Sequence, residues 1–139
     1  MLSLIHNRIG RNNANSVDLN REFPPKDTVK DAHLINIRRQ PETLAAMNWI
    51  LKNPFVLSAN IHSGAMMVSY PYDDSPKDIE RGDYSATPDD QMFRYLSLTY
   101  SFNHPYMHKN FKCKKEDNYP RGISNGAYWY DKQGTMKVD

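Results

Sequence analysis

The amino-acid sequence predicts an α/β fold. Three observations predict it: two helical segments with clear start and stop signals, two apolar β-rich runs between them, and the order in which the four follow one another. The chain of 139 residues suits one domain or a large part of one. A polar segment dense in Asn and Arg comes first and runs to about Arg39. QPETLAAMNWILKN then reads as a helix. Pro41 sits in the first turn, where its missing N–H costs nothing, and Glu42 faces the positive end. Leu44, Met47, Trp49, Ile50 and Leu51 supply the apolar stripe, and Asn53-Pro54 stops the helix. FVLSANIH is mostly apolar, as a buried strand would be. AMMVSYPY follows as a second strand, ended by Pro71. DDSPKDIERGDYSATPDD reads as a charged loop with three turn signals. Thr87-Pro88-Asp89-Asp90 opens a second helix, DDQMFRYLSLTYSFNHP, closed by Pro105. From Tyr106 to Asp139 the chain reads as irregular, with aromatic residues scattered through it. The expected order is helix, strand, strand, helix, with too few strands to close a sheet.

Composition narrows the function classes. A net charge of +2 makes no case for nucleic acid. No apolar run has the length to span a membrane. MLSLIHNRIG offers too short an apolar stretch for a secretory leader, and His6 and Arg8 interrupt it. Cys113 is the single cysteine, so no internal disulfide forms.

Three stretches carry chemistry. GRNNANSVDLNREFP holds two arginines and four asparagines. Guanidinium presents a planar fork of donors and asparagine adds neutral ones, so Arg11, Asn20 and Arg21 could converge on one carboxylate. The competing reading is a solvated loop whose asparagines serve turns. In ANIHSG, His62 stands at the end of the expected strand, where ligands of open α/β sheets gather, and a neutral imidazole there can bind zinc. A structural histidine is the competing reading. NYPRGISNGAYWYDKQG places Tyr128, Trp129 and Tyr130 in a glycine-bounded loop. A tyrosine there can close over a ligand, whereas for Trp129 a packed aromatic corner is the stronger reading.

In this order GRNNANSVDLNREFP, QPETLAAMNWI, PFVLSANIHSG, SYPYDDS and YPRGISNGAYWYDKQG resemble the zinc metallocarboxypeptidases of the carboxypeptidase N/E branch, which includes carboxypeptidases D and M. The resemblance extends from Gly10 to about Met136. It implies an α/β sandwich around a mixed β-sheet flanked by helices, with the site at the strand ends. It implies that His62 is a zinc ligand, and that Asn20 and Arg21 hold the substrate's terminal carboxylate. It implies that Arg11 polarises the scissile carbonyl, that Tyr130 folds over the bound terminus, and that Asp73 selects a C-terminal Lys or Arg. The partners implied are peptide or protein C-termini ending in Lys or Arg. The localisation implied is the secretory pathway or the extracellular space.

The sequence also departs from the family pattern. The family's first two zinc ligands come from a His-x-x-Glu motif, and none of the five histidines here is followed by Glu three places on. The family's general base is a glutamate beyond the aromatic loop, and no residue here matches it. Glu22 replaces an asparagine and is expected to put a negative charge beside the carboxylate site. Residues 1–139 therefore read as a partial peptidase domain, lacking its N-terminal strands and its C-terminal end. The intact parent would remove C-terminal basic residues by zinc-activated water, and this chain by itself would hydrolyse little or nothing. The alternatives are a non-catalytic module that binds peptide C-termini and a degenerate product that does not fold.

Overall fold

A computed structural model of the protein describes residues 10–24, 38–61, 63–75 and 83–129. They fall in two compact units, one within residues 1–62 and the other within residues 63–133.

In the first unit a loop leads into a 3₁₀ turn, Leu19–Arg21, and the chain later forms α1, Pro41–Lys52. Gln40 caps α1 in extended conformation, Pro41 opens it and Glu42 lies in the first turn. Asn53 ends it with φ −124° and ψ 131°, the extended geometry that a following proline enforces. The Asn53 amide also donates to the Trp49 carbonyl at 2.7 Å. The expected helix is therefore present, with its apolar stripe differently distributed. Thr43 and Met47 are its buried residues, whereas Trp49, Ile50 and Leu51 are exposed. Among the described residues of this unit, Phe23 is buried along with Met47.

The stretch after α1 departs from expectation. FVLSANIH forms no strand over its described residues, and Phe55, Val56, Leu57 and Ile61 are exposed, Val56 to 93%. A strand exists only through its neighbours, and among the described residues none pairs with this run. The segment's apolar character is real; the cover that would bury it is not among the described residues.

In the second unit β1, Val68–Tyr70, pairs in parallel with β2, Ile123–Asn125, in the register Val68–Ile123, Ser69–Ser124, Tyr70–Asn125. The crossover between them carries α2, Asp90–Asn103, as parallel pairing requires. Helix α2 packs on both strands and on the 3₁₀ turns Met107–Lys109 and Pro120–Gly122. Its buried residues are small and one helical turn apart, Ser97 and Ser101, which lets the helix approach closely. The Ser101 hydroxyl donates to the Arg121 carbonyl at 2.7 Å, holding the second turn to the helix. Among the described residues of this unit, Tyr70, Met107, Tyr119 and Ala127 are buried.

Among the described residues the order is thus helix, strand, helix, strand, helix rather than helix, strand, strand, helix. The region after Tyr106, expected to be irregular, supplies β2 and a last turn of helix, α3, Gly126–Trp129. The α/β class stands as expected.

A tyrosine relay fixes the start of α2. The Tyr70 and Tyr84 hydroxyls lie 3.1 Å apart, and Tyr84 donates to Asp90 Oδ1 at 2.6 Å. Burial first, then the hydrogen bond to Asp90, raises the Tyr84 phenol above its ordinary value of 10.0. The folded state therefore holds this proton more tightly than the unfolded chain. The stabilisation is complete below that ordinary value and is lost as the pH rises above it. Urea midpoints measured from about pH 8 to about pH 11 are expected to fall less steeply for Tyr84→Phe than for the natural chain. Parallel curves would refute the linkage.

Candidate carboxylate-reading loop and acidic floor

The first unit brings three of the candidate residues onto one loop. Asp18 is the organiser. One carboxylate oxygen accepts from the Arg11 guanidinium Nε, and the other accepts from the Asn20 backbone N–H at 3.1 Å, capping the 3₁₀ turn. Arg21 Nη1 donates to the Asn20 carbonyl at 2.7 Å. Arg11 and Arg21 are exposed and Asn20 is half-buried, so the two guanidinium groups stand where a soluble anion can reach them.

The other asparagines take structural roles. Asn13 Oδ1 accepts from the Asn15 and Val17 backbone N–H groups, each at 3.0 Å, and the Asn12 amide donates to the Ser16 carbonyl at 3.0 Å. The Asn13 and Asn15 amides both donate to Gln40 Oε1, at 2.9 and 2.7 Å. The turn-serving reading therefore holds for Asn12, Asn13 and Asn15.

Glu22 joins this loop to the helix. Its carboxylate accepts from the Gln40 N–H at 2.9 Å and from the Thr43 hydroxyl at 3.1 Å, so it caps the N-terminus of α1.

The second unit holds Asp73. Its side chain is buried, 6% exposed, and lies against Gly126. The preceding residue is clamped on both sides. The Tyr72 N–H donates to the Ser85 carbonyl at 2.9 Å, and the Tyr72 carbonyl accepts from the Ala127 N–H at 2.8 Å. Asn125, 2% exposed, ties the same place together. Its amide donates to the Pro71 and Ser85 carbonyls at 2.9 and 3.0 Å, and its oxygen accepts from the Ser85 and Tyr128 N–H groups at 3.1 and 3.3 Å.

His62 and Tyr130 lie outside the described residues. Trp129 meets Tyr119 edge-on with ring centroids 6.2 Å apart, yet it remains partly exposed. Sequence reasoning missed Asp18, Asn125 and Gly126. Asp18 had a signal, an acidic residue just before a short turn at an N-cap position. Asn125-Gly126 reads locally as a turn, and nothing nearby marks it as a strand end.

A model of the zinc carboxypeptidase family matches residues 4–138. The chain belongs to the zinc carboxypeptidase family. Relatives within this group include carboxypeptidase D of Drosophila melanogaster, 49% identical over 134 residues, which are 94% of this chain and 9% of the relative. Carboxypeptidase M of Mus musculus is 45% identical over 92% of this chain and 28% of its own length. The carboxypeptidase N catalytic chain of Mus musculus is 44% identical over 88% of this chain and 30% of its own length. The chain thus spans less than a third of each of these three relatives.

The zinc carboxypeptidase family implies Zn²⁺. Among the described residues no three His, Cys, Asp or Glu side chains gather to hold a metal ion. A catalytic zinc needs three protein ligands and an open position, so these residues do not fit the metal by themselves and no hydrolytic step follows from them. Among the described residues no helix is long and apolar enough to cross a membrane.

Proposed function

We propose that this chain carries the elements with which a zinc carboxypeptidase recognises the free end of a peptide bearing a C-terminal Lys or Arg. The single observation behind this reading is Asp18, which binds Arg11 through one oxygen and the backbone of Asn20 through the other. Asp18 thereby orients one guanidinium group and the turn that carries Asn20 and Arg21, and the stretch from Arg11 to Arg21 offers a donor set suited to a carboxylate. In this reading Asn20 and Arg21 hold the terminal carboxylate, and Arg11 faces the carbonyl of the bond to be cut. Asp73 supplies the anion for a basic side chain, and Tyr130 closes over the bound terminus. His62 is one zinc ligand. The full activity, removal of C-terminal basic residues within the secretory pathway or outside the cell, belongs to a polypeptide that also supplies the His-x-x-Glu pair and a general base.

For the chain by itself, binding without hydrolysis is the favoured reading, because none of its histidines is followed by Glu three places on. Calorimetry with an Arg-terminated peptide and its C-terminal amide tests it. Loss of a charge-assisted interaction should weaken the amide by about tenfold or more. Equal affinity for acid and amide would overturn the reading.

A further inference from the structure

We infer that Gly126 is a specificity-determining residue, because its bare Cα leaves the room in which the Asp73 carboxylate lies. The inference rests on the reading of Asp73 as the anion that selects a basic side chain. A Cβ at position 126 would stand 1.8 Å from Asp73 Oδ1, 2.9 Å from its Cγ and 3.0 Å from its Cα. The first two are closer than unbonded heavy atoms approach, and the third requires the backbone to give by a few tenths of an ångström.

Backbone conformation does not explain this glycine. Among the described residues the glycines at positive φ are Gly64 and Gly122, and Gly126 is not one of them. Any residue could adopt its dihedral angles, so the space taken by Asp73 is what a side chain at 126 would violate.

The neighbourhood also decides which partner must yield. The carboxylate can turn about its own bonds, but the Asp73 Cα cannot retreat easily. Tyr72, immediately before it, is held by Ser85 on one side and Ala127 on the other. Asn125, immediately before Gly126, is fixed by four hydrogen bonds. Two pinned segments therefore face each other, with the Asp73 carboxylate between them. A methyl group at 126 drives that carboxylate out of its present position, and with it the charge that a Lys or Arg side chain would meet.

The test compares peptides that end in Arg or in Leu, each as free acid and as amide, by calorimetry on the whole chain. Gly126→Ala is expected to lower the Arg-over-Leu preference about tenfold while keeping the acid-over-amide preference. Asp73→Asn is expected to do the same, and adding Gly126→Ala to it should change the preference no further. An undiminished Arg-over-Leu preference in Gly126→Ala overturns this inference and leaves the carboxylate-reading loop standing. A natural chain that separates acid from amide but not Arg from Leu overturns the role of Asp73 and the inference with it. A natural chain that separates neither overturns the proposed function as well. If Gly126→Ala alone fails to fold, thermal melts of Asp73→Gly with and without Gly126→Ala take its place. Matching melts for these two, with Gly126→Ala alone far below, show that methyl and carboxylate compete for one space. An equal loss in both backgrounds overturns the inference.

Discussion

Asn125→Ala is expected to lower the unfolding free energy by about 3 kcal/mol or more, since each buried polar group left unpaired costs roughly 1–3 kcal/mol. The side chain is 2% exposed and uses both donors and its acceptor. It joins the end of β1, the segment around Ser85 and the first residues of α3, which have no shared ladder to hold them. Removing it takes one hydrogen bond from each of the Pro71 carbonyl, the Ser85 carbonyl and N–H, and the Tyr128 N–H, the first three in buried surroundings. Asn125→Asp should be worse than alanine, because a carboxylate would face two carbonyl oxygens that now receive hydrogen bonds. Urea unfolding measures both variants. Asn103, an exposed amide bound to the Thr99 carbonyl on the surface of α2, serves as the control and should shift stability by no more than about 0.5 kcal/mol when changed to alanine. Equal effects at positions 103 and 125 would show that the buried amide does not organise the unit.

The second large effect is expected at Gly122, which has a φ of +70°. A Cβ there would stand 2.4 Å from the Met107 carbonyl oxygen and 2.4 Å from the Ser101 hydroxyl. Neither neighbour is free to give way. The Met107 carbonyl accepts from the Asn110 N–H, and the Ser101 hydroxyl holds the Arg121 carbonyl. Gly122→Ala therefore combines overpacking with an unfavourable backbone region, a cost of about 2–4 kcal/mol. The expected result is a lower urea midpoint with an unchanged slope, since the surface exposed on unfolding stays the same. An unshifted midpoint would mean that the turn and α2 are not tightly joined. In a Ser101→Ala background the loss should be smaller, because one clashing atom is gone while the Met107 carbonyl clash and the φ penalty remain.

Both predictions concern places where local sequence carried little information, and the contrast with the helices is instructive. The two helices were legible because their boundaries are set by neighbours in the chain. Pro41, Glu42 and the Asn53-Pro54 stop act within a turn of the residues they govern, and the same holds for the segment from Thr87 to Pro105. Residues 55–61 were illegible in the opposite sense. Their composition announces a buried strand, but burial is a property of what lies alongside, and a run of apolar residues cannot state whether its cover is present. Ile123–Asn125 failed for a related reason. Three residues leave no periodicity to read, and their strand character comes from β1, more than fifty positions earlier. The apolar stripe of α1 was overread for the same cause, since Thr43 and Met47 are the residues of the helix that are buried.

The candidate site divides in the same way. The donor-rich loop was visible as a set of residue types, and its organiser had a recognisable capping position. Glu22 has a role that no local pattern shows, because the Gln40 N–H and the Thr43 hydroxyl that engage it lie about twenty positions on. The pairing of Asp73 with Gly126 joins positions 53 residues apart, and no local pattern announces it.

The lock on Asn125 has a chemical corollary. An asparagine followed by glycine is the pair most prone to cyclise to a succinimide and open as aspartate or isoaspartate. In the folded chain the amide is gripped at every atom and cannot swing toward the next backbone nitrogen. Each passage through the unfolded state releases it, and a molecule that reacts there returns with an aspartate where two carbonyl oxygens require an amide. Ageing of this protein would therefore be metered by how often it opens, and isoaspartate accumulating at one position would serve as the clock.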